Sequence, residues 1–187
     1  MFVLGIDPGL TRCGYGVVER GAGSMRAVAA GVIRTSPSDE LPVRLAELQL
    51  EVRSLIVEYR PAVVAVERVF FQVNVRTAMS VGQASGIALA EAVNAGCAVA
   101  QYTPNQVKQA VAGWGAATKD QMELMVRTLL KIEGALQPVD AADALALALT
   151  HFAHAGLGVP AVAGSSGARV ASVARVPAVV GSPVARR

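Results

Sequence analysis

The chain has 187 residues, of which 53% are hydrophobic, and it carries a formal net charge of +3. This length suits one domain with a sizeable core. No apolar stretch approaches the roughly 20 residues of a membrane helix, and the N-terminus lacks the features of a signal peptide, so we expect a cytoplasmic protein with no membrane contact. The two cysteines lack CxxC spacing, which favours reduced thiols and argues against a metal site built on them.

The positive charge is concentrated at the C-terminus. From residue 159 onward there are four arginines and no acid, whereas the preceding part holds 13 basic and 14 acidic residues. This terminal segment is rich in Ala, Val, Gly, Ser and Pro and shows no hydrophobic period. We therefore predict a folded domain over 1–158 and a disordered cationic tail over 159–187. A nucleic-acid surface on the folded domain has to be a local patch.

The first part of the chain predicts three strands, a helix and a fourth strand. Residues 2–6, 14–20 and 26–35 are rich in β-branched and small residues and have short links, which is typical of an antiparallel meander. An apolar stripe of period 3.6 over 45–59 predicts a helix. The apolar run 62–67 then predicts a strand that is buried on both faces and parallel to the first strand.

The second part of the chain predicts one more strand and a set of helices. Residues 75–94 have helical character, 97–102 form an apolar strand, and three helical segments follow from residue 105 to residue 154. Strands followed by helices, with one βαβ unit among them, predict an α/β fold with a mixed five-stranded sheet flanked by helices. Many small residues in 75–94 permit close packing, either on its own sheet or across a two-fold interface.

Two carboxylates end strands that are predicted to be neighbours. Asp7 closes the first strand in front of a Pro-Gly turn, and Glu67 closes the fourth. Neighbouring strands lie about 5 Å apart, and two carboxylates that close repel each other unless a cation or a proton lies between them. In open α/β sheets, ligands bind at these carboxyl ends of the strands. Taken alone, Asp7 also suits a simple turn.

Asp140 and Asp143 supply two further carboxylates on one helical face. Both also suit a helix start, with Asp140 as the cap and Asp143 in the favourable field of the first turn. Four carboxylates without histidine suit a hard cation such as Mg²⁺ or Mn²⁺. Two such ions about 4 Å apart are the usual equipment for phosphodiester hydrolysis. The acids together therefore indicate a metal-dependent phosphodiesterase site.

Four segments of the chain resemble the motifs of a known family: "GIDPGLTRCGYGVV", "AVERVFFQVN", "QVKQAV" and "DAADALALALTH". Their order and spacing are similar to those of RuvC, the bacterial Holliday-junction resolvases, from about residue 3 to residue 154. The resemblance implies a ribonuclease H-like fold, a homodimer, and Mg²⁺ dependence with two ions per active site, for which Mn²⁺ can substitute. It implies paired nicks across a four-way DNA junction that leave 5′-phosphate and 3′-hydroxyl ends. It also implies partnership with the RuvA and RuvB branch-migration complex.

The resemblance assigns roles to eight residues. The family's catalytic and metal-binding acids fall on Asp7, Glu67, Asp140 and Asp143. The implied DNA contacts are Phe70, Arg76, Lys108 and Lys119. A base-stacking role is implied for Phe70, although either Phe70 or its neighbour Phe71 could equally belong to the core. Lys119 has separate support, because it follows Thr118 in a capping box with Gln121, and a lysine beside helix N-terminal amides suits a phosphate. Lys108 on its own also fits a solvated surface position.

Two other functions compete with the nuclease interpretation. "GIDPG" also resembles the first phosphate loop of ATPases of the actin and sugar-kinase type, but that fold needs a second domain and a second DxG loop, which this sequence does not offer. A non-catalytic junction-binding module would tolerate loss of the acids, yet all four are present. His151 lies about 12 Å along the helix from Asp143, so we predict a packing or surface histidine rather than a ligand. Trp114 fits packing and DNA contact equally well.

Overall fold

The computed structural model describes residues 1–68 and 75–155, with side chains from residue 78 onward in the second range. The five strands are β1 (Phe2–Asp7), β2 (Arg12–Arg20), β3 (Met25–Arg34), β4 (Val63–Glu67) and β5 (Ala98–Tyr102). The five helices of the described ranges are α1 (Leu41–Tyr59), α2 (Val75–Asn94), α3 (Pro104–Ala112), α4 (Lys119–Leu130) and α5 (Val139–Ala155). The predicted order of strands and helices is confirmed.

The strands form one mixed sheet in the order β3-β2-β1-β4-β5. Strands β1, β4 and β5 run parallel, and β2 is antiparallel to both β1 and β3. The predicted meander and the predicted βαβ unit are therefore both present. Strand β1 lies at the centre and is paired on both edges, which makes its C-terminal end a rigid position for a functional side chain.

Helices cover both faces of the sheet, and the two-residue period of each strand decides which side chains face which layer. Leu4 and Ile6 of β1 pack with α1 and α2, as do the corresponding residues of β4. Val3, Val63 and Ala65 pack instead with α3, α4 and α5. Asp7 and Glu67 continue this second set, so both carboxylates point toward the layer that contains α5.

Helix α5 lies unusually close to the backbone of β1 and β2. A Cβ atom at Gly5 would overlap the carbonyl oxygen of Ala144, and one at Gly14 would overlap the carbonyl oxygen of Asp140. A Cβ atom at Gly16 would lie 2.7 Å from the backbone nitrogen of Leu145. The absence of side chains at these three glycines lets the helix rest on the sheet, and this contact brings its first turn beside the end of β1.

Helices α3 and α4 begin at capping boxes that can be recognised in the sequence. The predicted capping box before α4 is confirmed, with the Thr118 hydroxyl accepting from the Gln121 amide and the Gln121 side chain accepting from the Thr118 amide. Thr103 and Gln106 form a second capping box in front of α3. Helix α5 begins at Val139, so Asp140 lies in its first turn rather than at the cap position suggested by the sequence.

Several remaining expectations have simple outcomes. Cys13 and Cys97 are free and buried. No helix within the described residues is long and apolar enough to cross a bilayer. The apolar stripe of α1 is buried over its central part, at Leu48, Val52, Leu55 and Ile56. The predicted tail over 159–187 lies outside the described residues.

Candidate active site

Asp7 and Glu67 lie side by side at the carboxyl ends of β1 and β4. The parallel register pairs Ile6 with Val66, and the two acids are the next residues on their strands. Their carboxyl groups are within hydrogen-bonding contact of each other. The sequence-based prediction that these two acids meet at one edge of the sheet agrees with this geometry.

The N-terminal part of α5 brings Asp143 beside the two strand acids and Asp140 close to them. Asp143 lines a cavity of about 310 Å³ together with Asp7 and Glu67, while Asp140 lies outside this lining. The remaining wall of the cavity consists of Pro104, Val107, Lys108, Lys119, Met122 and Leu147. The cavity lining therefore combines three carboxylates with two lysines and an apolar surface.

Crowding and burial make these carboxyl groups hard to ionise. Burial, followed by the negative charges of Glu67, Asp143 and Asp140, raises the pKa of Asp7 to about 7. Burial is also the largest cause that raises the pKa of Glu67 and of Asp143, with the Asp143 charge adding to the effect on Glu67. The folded chain thus holds acids where a proton or a cation is needed to offset their repulsion.

Two basic side chains already neutralise the acids of α5. Arg12 binds Asp140 through two guanidinium nitrogens, with Nε 2.9 Å from Oδ2 and Nη2 bound to the same oxygen. The Lys119 ammonium lies 3.8 Å from Oδ2 of Asp143, and its charge partly opposes the rise in the pKa of Asp143. The strand acids are therefore paired with each other, whereas the helix acids are paired with cations.

The donor chemistry of this site fits a hard divalent cation. All four acids offer carboxylate oxygens, and none of the predicted ligands is a histidine or a cysteine. As the side chains stand, no three acidic, histidine or cysteine side chains in the described part of the chain close around one point. Asp140 is instead paired with Arg12, and Asp143 lies near Lys119.

The turn that follows Asp7 is anchored by side chains from two other elements. The buried Thr35 hydroxyl donates to the Leu10 carbonyl oxygen at 2.6 Å. Arg44 of α1 donates to the hydroxyls of Thr35 and Thr11 at 2.9 and 2.7 Å. These bonds fix Leu10 and Thr11, which connect the Pro8-Gly9 turn to β2.

The structure brings together some of the predicted DNA contacts and does not describe others. Lys108 and Lys119 both line the acidic cavity. Phe70 lies outside the described residues, and so does the side chain of Arg76. Trp114 is 49% exposed, so it does not belong to the core.

The histidines are not arranged as ligands. His151 is buried, and its Nδ1 lies 2.9 Å from the Tyr102 hydroxyl. His154 places its Nδ1 2.9 Å from the Thr150 carbonyl oxygen. Of the two alternatives predicted for His151, packing or surface, the structure shows packing, because this side chain is buried. Tyr102 of β5 is the register partner of Glu67. Its contact with His151 therefore links the end of β5 to α5.

Sequence reasoning missed Arg12, Thr35 and Arg44. Most of their contacts join residues that are far apart in the chain, so no local sequence pattern predicts the partner. The predicted strand began only at residue 14 and so left out Arg12. In the structure, Arg12 and Gly14 are two residues apart on β2 and share the face that contacts α5.

A five-stranded mixed sheet with carboxylates at the ends of β1 and β4 and on the first turn of α5 defines a nuclease of the ribonuclease H-like class. The family model of the crossover junction endodeoxyribonuclease RuvC matches residues 3–151. The chain belongs to the RuvC family, whose members are metal-dependent nucleases.

Individual relatives agree with this assignment. The crossover junction endodeoxyribonuclease RuvC of Salinispora arenicola is 54% identical over 157 residues, which cover 83% of this chain and 90% of that protein. The Thermus thermophilus RuvC in complex with Holliday junction substrate is 43% identical with a TM-score of 0.81, over 87% of this chain and 99% of that chain. The yeast mitochondrial Holliday junction resolvase Ydc2 shares the fold alone, at 16% identity and a TM-score of 0.59, over 81% of this chain and 78% of that chain.

Proposed function

We propose that this protein is an endonuclease that resolves four-way DNA junctions by paired symmetric nicks during homologous recombination and DNA repair. The observation that carries the proposal is the cavity that Asp7, Glu67 and Asp143 line together with Lys108 and Lys119. Carboxylates suited to a hard cation lie there in one cavity with cationic side chains suited to a phosphate. The Thermus thermophilus relative, solved with a Holliday junction substrate, supports the choice of DNA structure.

We propose that the four acids hold Mg²⁺, with two ions per site and Mn²⁺ as a substitute. When bound, such ions supply a water nucleophile and stabilise the leaving 3′-oxygen. Asp7 and Glu67 hold their positions on the rigid ends of paired strands, and Asp140 and Asp143 hold theirs on a helix seated on glycines. The products would carry 5′-phosphate and 3′-hydroxyl ends.

The direct test uses a synthetic four-way junction with Mg²⁺. We expect two nicks at symmetric positions on opposing strands, and we expect the products to be sealed by DNA ligase because a 5′-phosphate meets a 3′-hydroxyl. A nucleotide-binding ATPase would instead bind and hydrolyse ATP without cutting the junction. A non-catalytic junction-binding module would bind the junction and leave it intact with any cation.

We propose DNA contacts at Phe70, Arg76, Lys108 and Lys119, with Phe70 stacking on a base at the junction. Stacking on an aromatic face contributes about 1–3 kcal/mol per base. Phe70→Ala should therefore slow junction cleavage by roughly 5- to 100-fold, and Phe71→Ala should slow it less. Single-turnover rates and melting temperatures of both variants test this. Equal effects, or unfolding caused by Phe70→Ala alone, would place Phe70 in the core.

We propose a homodimer, because two symmetric cuts need two equivalent sites. The exposed Gly86 lies in an open groove between α1 and α2 that Leu45 and Ile87 also line. An added Cβ at Gly86 would meet nothing within 4 Å in the monomer, so Gly86→Arg should fold normally. If this groove is the dimer interface, Gly86→Arg should shift the molar mass measured by light scattering from dimer to monomer.

Gly23 supplies the matched control for that change. A Cβ atom there also meets nothing, and the residue lies in the exposed turn between β2 and β3. Gly23→Arg should leave the molar mass unchanged. A Gly86→Arg protein that remains dimeric would remove this groove from the interface.

We propose that the folded domain ends near residue 158 and that 159–187 form a flexible cationic tail. Limited proteolysis should trim the chain to a stable fragment that ends near residue 158, and protection of the segment would contradict this division.

We also propose a cytoplasmic location for this protein. We further propose partnership with the RuvA and RuvB branch-migration complex. Co-purification with these two proteins on junction DNA would test the partnership.

A further inference from the structure

Arg12 lies on the face of β2 that contacts α5. It is the first residue of β2, and Gly14, two residues further on the same face, touches the backbone of Asp140 so closely that a Cβ atom would overlap it. The guanidinium of Arg12 then meets the side chain of the same aspartate through Nε and Nη2. Both donors converge on one oxygen, Oδ2 of Asp140.

This ion pair is not required to stabilise the helix. Asp140 lies in the first turn of α5, where the helix dipole already favours a negative charge. The side chains of Arg12 and Asp140 are 42% and 28% exposed, so the guanidinium can leave the carboxylate at small cost. Exposed ion pairs of this kind contribute about 0.2–1 kcal/mol.

A cation bound by Asp140 would need the same carboxylate that the Arg12 guanidinium holds. We propose that Arg12 is a positioning residue that competes with a divalent cation for Asp140 and thereby sets the cation affinity of the free protein. The inference rests on the proposed function, in which Asp140 is a ligand. Arg12 holds the carboxylate in the absence of the cation and is displaced from it when the cation binds.

Competition predicts a different direction of change in cation affinity from the other possible roles of Arg12. If Arg12 only held Asp140 in the correct rotamer, its loss would weaken cation binding. If the pair were an inert surface contact, its loss would change nothing. Competition predicts that removal of the guanidinium makes the cation bind more tightly, and by more than the loss of a nearby positive charge that does not contact Asp140.

The experiment measures Mn²⁺ binding to the full chain without DNA, by calorimetry at low ionic strength. Loss of a pair in the range of exposed ion pairs should make Mn²⁺ bind Arg12→Gln about 1.5- to fivefold more tightly than wild type. Arg12→Lys keeps the charge but cannot place two donors on one oxygen, so its affinity should lie between the two. The difference should shrink as salt is added, because the pair is partly exposed.

Arg34→Gln is the matched control. Arg34 lies opposite Arg12 in the register of β2 and β3, so this variant removes the same charge from the neighbouring position without breaking the pair with Asp140. Its effect on Mn²⁺ affinity reports the general field of a nearby positive charge. The gain in Mn²⁺ affinity of Arg12→Gln should be clearly larger than that of Arg34→Gln.

Three outcomes would overturn the inference. Unchanged or weaker Mn²⁺ binding by Arg12→Gln would do so, and so would an equal gain in Arg34→Gln. A wild-type protein that binds no Mn²⁺ would overturn the proposed metal site as well, which separates the two failures. Thermal melts establish that each variant is folded, and Arg12→Lys carries the test if Arg12→Gln does not fold.

Discussion

Asp7→Asn should abolish junction cleavage while leaving junction binding intact. Asp7 ends the central strand and is in contact with Glu67 and close to the other two acids, so it is the shared position of the proposed metal site. Metal ions supply several kcal/mol of transition-state stabilisation, and a loss of about 4 kcal/mol corresponds to a roughly 10³-fold lower rate. Lys108 and Lys119 are untouched, so their proposed contacts with phosphates remain. Single-turnover cleavage and gel-shift titration of the same junction measure both effects.

The same substitution should stabilise the protein in buffer with a chelator. Burial and neighbouring acids raise the pKa of Asp7 from 3.8 to about 7 in the folded protein. A raised pKa means that the Asp7 contribution to stability is present at low pH and is lost as pH rises through that window. Asparagine does not titrate, so the melting temperature of Asp7→Asn should exceed that of wild type above pH 7.

The pH dependence of that gain provides its own control. The advantage of Asp7→Asn should shrink between pH 7 and pH 4 and vanish below the pKa of the unfolded aspartate. Cleavage at near wild-type rate would remove Asp7 from the metal site. A melting temperature below that of wild type above pH 7 would show that the carboxylate is not strained by its neighbours.

Gly5→Ala should damage both stability and cleavage, although Gly5 has no side chain to offer the site. Its new Cβ would overlap the Ala144 carbonyl oxygen, which belongs to the backbone of α5 and cannot rotate away. Forcing atoms into a packed interior costs about 1–3 kcal/mol or more. The helix must also move away from the sheet, and a shift of about 1 Å in catalytic groups can reduce a rate roughly 10²-fold. Asp140 and Asp143 move with that helix.

Gly23→Ala separates this effect from the general cost of replacing glycine. It adds the same methyl group in an exposed turn where nothing lies within 4 Å. Urea unfolding and single-turnover cleavage should show losses for Gly5→Ala and wild-type behaviour for Gly23→Ala. A Gly5→Ala protein with unchanged stability and rate would mean that α5 does not rest on β1 as closely as the structure shows.

The sequence by itself determined the elements and their approximate order, because hydrophobic periodicity and capping chemistry are local. The apolar run before Asp7 and the run before Glu67 could only be buried strands, and the capping box at Thr118 fixed the start of α4. The α/β sheet with five strands followed from these signals. Two of the acids were identifiable because they end apolar strands, and the other two drew notice only in combination with these, since a carboxylate near a helix start is common.

Only the tertiary structure decided what lies next to each acid. The partners Arg12 and Asp140 are 128 residues apart in the chain, and Arg12 precedes the predicted strand 14–20, so no local pattern pointed to its partner. The row of glycines under α5 reads in sequence as weak strand residues, and its purpose appears only when the helix lies across it. The exposure of Gly86 and the burial of His151 are likewise properties of the assembled layers. Local patterns fix conformation because neighbouring residues always interact, whereas these contacts exist only after long loops have closed and the layers have packed.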